Sequence, residues 1–273
     1  MVEKTITRPD GARLRIRDHA DSAPAGAPAI VLSNSLATDL SLWDAVVGPL
    51  SARWRVVAYD TRGHGASHAP APAATFGDLA GDLLAVMDAA GLDAAFVAGV
   101  SLGGMTGLHC ALDAPERVRG LVACNCRASI DAAGIAGWEQ RVQVLRERGL
   151  DALAEVTLER WFEAEYRTAN PAVMDRVRTM IRATSPAGYE ACVRAIESID
   201  LLGRLPGIRV PVLLVAGAQD GAASPATMRG MADAIPDARL EVLDPCGHLS
   251  PVQRPAELTA LIDGFLTRWS APR

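Results

Sequence analysis

The chain has 273 residues, which suits one large α/β domain or two small ones. Hydrophobic residues make up 49% of it and aromatic residues only 4%, so the core must be built from Ala, Val and Leu. Such a core is typical of helices packed on a parallel sheet. The net charge is −5 and the arginines are scattered rather than clustered. This charge pattern argues against nucleic acid and membrane surfaces as partners.

The five cysteines form neither a C-x-x-C motif nor a Cys/His spacing typical of metal sites. Their odd number indicates free thiols in a reducing compartment. The opening stretch MVEKTITRPDGARLRIRD is charged throughout, and no run in the chain approaches eighteen apolar residues. We therefore expect a soluble cytoplasmic protein, and we expect neither a metal nor a cofactor.

The first predicted element is a β-hairpin of residues 3–8 and 12–18, because both segments alternate and Pro9-Asp10-Gly11 supplies a turn. Strands and helices then alternate along the chain. The predicted elements are strand 29–32, helix 39–52, strand 55–59, helix 76–91, strand 94–99, helix 102–114 and strand 120–124. This alternation indicates βαβ units and a mostly parallel sheet.

The alternation stops between residues 128 and 205, where only helical patterns occur. The predicted helices there are 138–148, 150–161, 172–184 and 189–198. They are followed by strand 210–215, helix 225–235, strand 239–243 and helix 255–268. We expect residues 1–127 and 206–273 to form one α/β core of twisted sheet and flanking helices. Residues 128–205 are expected to form a helical cap over the carboxyl ends of the strands.

The stretch Gly99-Val100-Ser101-Leu102-Gly103 matches the pattern G-x-S-x-G, which is typical of a nucleophile elbow. In that structure a sharp turn between a strand and a helix exposes a serine hydroxyl. A serine that only caps a helix does not require small residues on both sides, whereas a strained turn does. The short pattern occurs by chance, so its place directly after a predicted strand carries the argument.

Ligands of open α/β sheets bind at the carboxyl ends of the strands. Ser101, Asp220 and His248 each follow a separate predicted strand, in the chain order expected for an α/β-hydrolase triad. Each residue alone has a structural explanation, such as helix capping, but the joint fit favours a triad. Asp131 and Asp244 are rival acids, and Asp220 is preferred because Asp244 precedes the histidine by only four residues.

Each member of this set would have a chemical role. His248 would remove the proton of the Ser101 hydroxyl, and Asp220 would orient the imidazole and stabilise its charged form. The negative charge that develops on the substrate oxygen needs two backbone N–H donors. We assign these to Leu102, directly after the serine, and to Leu36, in the turn after strand 29–32.

The chain resembles the 3-oxoadipate enol-lactonases, α/β-hydrolases of aromatic-acid catabolism, over nearly its whole length. The resemblance lies in VLSNSLATDLSLW, YDTRGHGAS, GVSLGGMTG, APERV and GHLSPVQRP, with ERWFEAEY in the predicted cap. Its more diagnostic part is the pair Asn34 and Ser35, which stands where many α/β-hydrolases have His-Gly and is expected to contact substrate. The resemblance implies an α/β-hydrolase fold and a small anionic enol-lactone that is opened to 3-oxoadipate.

The chain departs from this family at two places near the expected pocket. Arg127 stands two places before the family's usual basic position, which Ser129 occupies, and Pro251 and Gln253 replace the usual Asn and Glu. Arg127 is nevertheless our candidate for binding the substrate carboxylate, because an anion buried without a partner is costly. The alternative is that Arg127 is a solvated residue at the hinge of the cap and has no role in binding. Trp138 is expected to face the substrate, and its alternative is packing within the cap.

Several functions remain compatible with this sequence. The favoured one is a serine hydrolase that acts on a small lactone or ester through an acyl-enzyme, with water as the second substrate. A general carboxylesterase, a C–C bond hydrolase and a cofactor-free perhydrolase share the triad. A non-catalytic ligand-binding protein is the alternative from another class, because a fold alone does not determine function.

Overall fold

The computed structural model describes residues 1–69 and 74–270, and within them eight strands form one sheet. The strands are β1 (Val2–Thr7), β2 (Arg13–Asp18), β3 (Ala29–Ser33), β4 (Arg55–Tyr59), β5 (Ala95–Val100), β6 (Val118–Cys124), β7 (Val212–Gly217) and β8 (Ala238–Leu243). Their order in the sheet is β1-β2-β4-β3-β5-β6-β7-β8. The pairs β1–β2 and β2–β4 are antiparallel, and the remaining neighbours are parallel. The mostly parallel sheet predicted from the alternation is confirmed.

Helices cover the sheet and account for the burial of its central strands. They are α1 (Asp44–Ser51), α2 (Phe76–Ala89), α3 (Leu102–Asp113), α4 (Ala132–Trp161), α5 (Ala164–Ala169), α6 (Pro171–Arg182), α7 (Pro186–Glu197), α8 (Pro225–Ala234), α9 (Ser250–Gln253) and α10 (Pro255–Ser270). The predicted helix 39–52 starts instead as a 3₁₀ turn, because the Asp39 side chain accepts a hydrogen bond from the Ser41 N–H. All residues of β3 and β5 are buried, as continuous apolar runs predict.

Four of these helices, α4 to α7, lie between β6 and β7, and we call them, together with the short segments that join them, the helical insertion. The predicted helices 138–148 and 150–161 form one element, α4, with a kink at Gly149, whose φ of 77° suits glycine. The short helix α5 was not predicted, because six residues are too few for a clear periodic pattern.

The helical insertion contacts the turn after β4 through backbone atoms. A Cβ atom on Gly63 would lie 2.5 Å from the Cα of Gly188, and the Ser185 N–H donates to the Gly63 carbonyl over 2.9 Å.

The predicted α/β core includes residues 70–73 and 271–273, which lie outside the described residues. Within the described ranges, none of the helices has the length and apolar character needed to cross a membrane.

Candidate active site

The turn between β5 and α3 holds Ser101 in a strained conformation. Its φ is 53° and its ψ is −113°, and its N–H donates to the Cys124 carbonyl over 2.8 Å. A Cβ atom on Gly99 would lie 2.3 Å from the carbonyl atoms of Gly103, and one on Gly103 would lie 2.2 Å from the Ser33 carbonyl oxygen. Both glycines are therefore needed because the backbone approaches too closely for any side chain.

Strained backbone is concentrated around one cavity. In the described part of the chain three non-glycine residues have a positive φ, namely Ala37 (60°), Ser101 (53°) and Asn125 (50°). They follow β3, β5 and β6, and all three line the same cavity of about 110 Å³. Such conformations cost about 1–3 kcal/mol each and cluster at functional sites. The cavity at the carboxyl ends of these strands is thus the candidate active site.

His248 and Asp220 form a buried pair beside this cavity. The His248 Nδ1 lies 2.9 Å from the Asp220 Oδ2, and the two residues are 4% and 3% exposed. The other carboxylate oxygen, Oδ1, accepts the N–H groups of Ala222 (2.7 Å) and Ala223 (3.1 Å). Because an ionised carboxylate only accepts, the histidine Nδ1 directs a proton toward Asp220, and in the neutral imidazole Nε2 is then the nitrogen that can accept a proton.

The Asp220 carboxylate is kept ionised by its partners. Burial alone would raise the pKa of Asp220, but the charge and hydrogen bond of His248 and the donors Ala222 and Asn125 lower it to about 2. The Asn125 amide nitrogen lies 3.1 Å from the Asp220 Oδ2. Sequence reasoning gave Asn125 no role, although its position directly after β6 was a signal that it belongs to the same edge of the sheet.

The structure brings Ser101 and His248 to the wall of one cavity, with Asp220 behind the histidine. Trp161, at the end of α4, contacts the histidine from the helical insertion. Its ring stacks on that of His248 with 5.9 Å between centroids and 24° between planes. The His248 N–H also donates to the Trp161 carbonyl over 2.9 Å. The arrangement therefore places a hydroxyl, an imidazole and a carboxylate at one site.

Leu36 and Leu102 occupy the positions assigned to the two N–H donors. Leu36 lines the cavity in the turn that contains the strained Ala37. Leu102 is the first residue of α3, and an N–H in the first turn of a helix has no acceptor within the helix. The binding of an oxyanion by these two N–H groups remains a prediction.

The expectation that Asn34 contacts substrate needs correction. Its amide nitrogen donates to the Tyr59 carbonyl over 2.7 Å, and its amide oxygen accepts the Trp43 indole N–H over 3.0 Å. The side chain is fully buried, so it builds the turn that presents Leu36. Ser35 is also fully buried, and the residues that line the cavity do not include it.

Three arginines line the cavity, of which only Arg127 was expected there. Arg127 is half-buried and donates to the Ala222 carbonyl, in the loop of the candidate acid. Arg141 and Arg160 come from α4, and neither was predicted. Within the described ranges none of the three forms a salt bridge with a carboxylate. The cavity wall thus carries three positive charges, two of them from α4.

Arg141 is half-buried, and burial disfavours its charge. Burial lowers the pKa of Arg141 to about 10, although the neighbouring Tyr189 opposes this change. Its Nε is buried and has no hydrogen-bond partner among the described residues. The guanidinium lies 3.8 Å from the centre of the Trp138 ring, and Trp138 also lines the cavity.

A family model described as the α/β-hydrolase fold matches residues 28–255. The chain therefore belongs to the α/β-hydrolase family, and it is a hydrolase, as its named relatives are. The predicted resemblance to the 3-oxoadipate enol-lactonases is confirmed. The 3-oxoadipate enol-lactonase 2 of Acinetobacter baylyi is 32% identical over 253 residues, which cover 93% of this chain and 94% of that protein.

Solved structures agree with this assignment. The enol-lactonase from Burkholderia xenovorans LB400 is 39% identical, with a TM-score of 0.88 and coverage of 94% of this chain and 97% of that one. A thermophilic esterase from Thermogutta terrifontis, solved with malate bound, is 26% identical, with a TM-score of 0.90 and coverage of 99% and 100%.

Proposed function

We propose that this hydrolase opens a small anionic enol-lactone, 3-oxoadipate enol-lactone, through a Ser101–His248–Asp220 triad. The observation that carries the proposal is the positive wall of Arg127, Arg141 and Arg160 in the same small cavity as the serine and the histidine. Arg127 and Arg141 are half-buried, whereas Arg160 is exposed. A cation that is partly withdrawn from water without a counter-ion is costly, so a cavity of this kind is suited to a ligand that brings a carboxylate.

The Ser101 hydroxyl attacks the lactone carbonyl while His248 takes up its proton. The carbonyl oxygen becomes negative and is held by the N–H groups of Leu36 and Leu102. Collapse of this intermediate breaks the ring C–O bond, and His248 returns the proton to the released enolate oxygen. Water then attacks the acyl-enzyme by the same route and frees the serine. The enol product tautomerises to its ketone.

Arg141 is the arginine best placed to bind the substrate carboxylate. Arg127, our first candidate, already donates to the Ala222 carbonyl and so also supports the Asp220 loop. Arg141 keeps a buried Nε without a partner, and its planar guanidinium can hold a carboxylate with two hydrogen bonds. The malate bound by the Thermogutta esterase, a dicarboxylate, supports an anion as ligand for this type of fold.

The test compares the acidic enol-lactone with a neutral aryl ester of similar size, a ring-fission diketone and peracid formation from hydrogen peroxide. We expect the highest kcat/KM for the enol-lactone. Ser101→Ala and His248→Ala are expected to lower kcat by several orders of magnitude, and Asp220→Asn somewhat less. A preference for the neutral ester, the diketone or peroxide would replace the substrate assignment by the corresponding alternative.

A serine-directed phosphonate tests the nucleophile independently of the substrate. Intact-protein mass spectrometry followed by peptide mapping is expected to place one adduct on Ser101. An adduct on another serine, or a Ser101→Ala variant that keeps more than a few per cent of the rate, would refute the mechanism. Lactone binding without any turnover would instead indicate the non-catalytic binding protein.

A further inference from the structure

The loop that carries His248 is held at three consecutive backbone N–H groups. The three bonds run from Cys246 to the Gln219 Oε1 (2.6 Å), from Gly247 to the Gln253 Oε1 (2.8 Å) and from His248 to the Trp161 carbonyl (2.9 Å). Gln219 precedes the candidate acid, whereas Trp161 belongs to the helical insertion. The backbone of the candidate base is therefore fixed from the core on one side and from the helical insertion on the other.

Glu163 of the helical insertion determines how the Gln253 side chain is oriented. Its Oε2 accepts a hydrogen bond from the Gln253 amide nitrogen over 2.9 Å. Because a carboxylate can only accept, it holds the amide nitrogen toward the insertion and leaves the amide oxygen toward Gly247. An amide free to turn would present its own N–H groups to the Gly247 N–H, and the bond to the loop would be lost.

Gly247 lies so close to these groups that no side chain fits. A Cβ atom there would be 2.3 Å from the Trp161 carbonyl oxygen, 3.1 Å from the Gln253 Oε1 and 3.2 Å from the Glu163 Oε1. The loop is thus pressed directly against the helical insertion, one residue before His248. Any change in how the insertion contacts this glycine is passed to the base through a single peptide unit.

We propose that Glu163 and Gln253 are positioning residues that make the placement of His248 depend on the seating of the helical insertion. The proposal rests on the proposed function, because it requires His248 to be the catalytic base. A base displaced by about 1 Å can lose up to about 100-fold in rate, while the arginines that bind the substrate are untouched. The link therefore acts on kcat and leaves KM nearly constant.

A reciprocal exchange tests this link. In Gln253→Glu the carboxylates at positions 163 and 253 face each other, and the hydrogen bond to Glu163 is lost. We therefore expect kcat to fall about 10-fold or more, while KM stays within about twofold of the wild-type value. In the double variant Glu163→Gln/Gln253→Glu the amide at position 163 donates to the carboxylate at position 253, which still accepts the Gly247 N–H. We expect this exchange to recover most of the lost kcat.

The matched control is Glu165→Gln/Gln253→Glu, since Glu165 is an exposed carboxylate two residues along the same segment. It has the same composition and charge as the exchange but leaves the two carboxylates facing each other, so we expect no recovery. Circular dichroism melts establish that each variant is folded. If Gln253→Glu does not fold, Gln253→Ala removes both hydrogen bonds without adding charge and is expected to show the same loss of kcat.

Two results would overturn the inference: wild-type kcat in the folded Gln253 variants, or equal recovery in both double variants. Ser101→Ala, assayed in parallel, separates this failure from failure of the proposed function. If Ser101→Ala is inactive while the Gln253 variants are normal, only the positioning role is wrong. If Ser101→Ala remains active, the proposed triad is wrong as well.

Discussion

Arg141→Met removes the buried guanidinium while keeping an unbranched side chain of similar reach. Burial lowers the pKa of Arg141 from its ordinary 12.5 to about 10, which corresponds to about 3 kcal/mol of unfavourable free energy for the charged form. Stacking on Trp138 returns about 1–2 kcal/mol of this. The guanidinium therefore destabilises the free protein by about 1–2 kcal/mol, and a bound carboxylate would relieve that cost.

Two opposite effects are expected from Arg141→Met. The kcat/KM for the anionic lactone is expected to fall about 10- to 150-fold, since a hydrogen bond between charged groups contributes about 1.5–3 kcal/mol. The kcat/KM for a neutral ester of similar size is expected to change less than about threefold. The Tm of Arg141→Met is expected to rise by about 2–4 °C for each kcal/mol of unfavourable charge burial that the substitution removes. Steady-state kinetics on both substrates and a calorimetric melt measure these quantities.

Arg148→Met is the control, because Arg148 is exposed on the same helix and its replacement is expected to alter neither quantity. Arg127→Ala provides a contrast. Because Arg127 holds the loop of Asp220 through Ala222, its loss is expected to slow both substrates. An equal loss on both substrates in Arg141→Met, or a Tm lowered by several degrees, would refute the assignment of Arg141 to the carboxylate.

Two further predictions concern the turn and the acid. Gly99→Ala is expected to abolish activity and to destabilise the fold in urea denaturation, because the methyl group would lie 2.3 Å from the Gly103 backbone. Gly264→Ala, with no atom within 4 Å of the added carbon, is expected to be neutral, and a neutral Gly99→Ala would contradict the steric argument. The pKa of Asp220 is lowered to about 2, so the stability that it contributes is complete above about pH 4 and is lost as the pH falls toward 2. The difference in unfolding free energy between wild type and Asp220→Asn is expected to shrink by about 2 kcal/mol over that range, and a constant difference would show that the carboxylate is not stabilised in the folded state.

The core of this fold could be predicted because its signals are local. The continuous apolar run of residues 29–32 is buried on both faces, and its alternation with helices indicates parallel pairing. Polar residues that directly follow such strands are brought to one edge of the sheet by topology alone. Ser101, Asp220 and His248 were therefore within reach of sequence reasoning.

The arginines of α4 could not be assigned to the cavity from the sequence, because their positions depend on how the helix packs. Arg141, Arg146 and Arg148 lie within eight residues of one another, yet Arg141 lines the cavity while the other two are exposed. The apolar spacing marks Val142 and Leu145 as buried, but it does not identify which neighbour of that stripe faces the cavity and which faces solvent. Only the packing of the helical insertion on the sheet determines this.

The two departures from the enol-lactonase pattern have opposite consequences in the structure. Arg127, displaced from the usual basic position, donates a hydrogen bond to the loop of Asp220, whereas Arg141 keeps a buried Nε without a hydrogen-bond partner. Gln253, where the family usually has Glu, faces the carboxylate of Glu163, and its amide donates to that carboxylate while accepting from Gly247, which an ionised carboxylate could not do. Under the proposed function, the first departure leaves carboxylate binding to Arg141, whereas the second depends on a partner in the helical insertion. We therefore expect Gln253→Glu to be harmful in this chain unless position 163 changes with it.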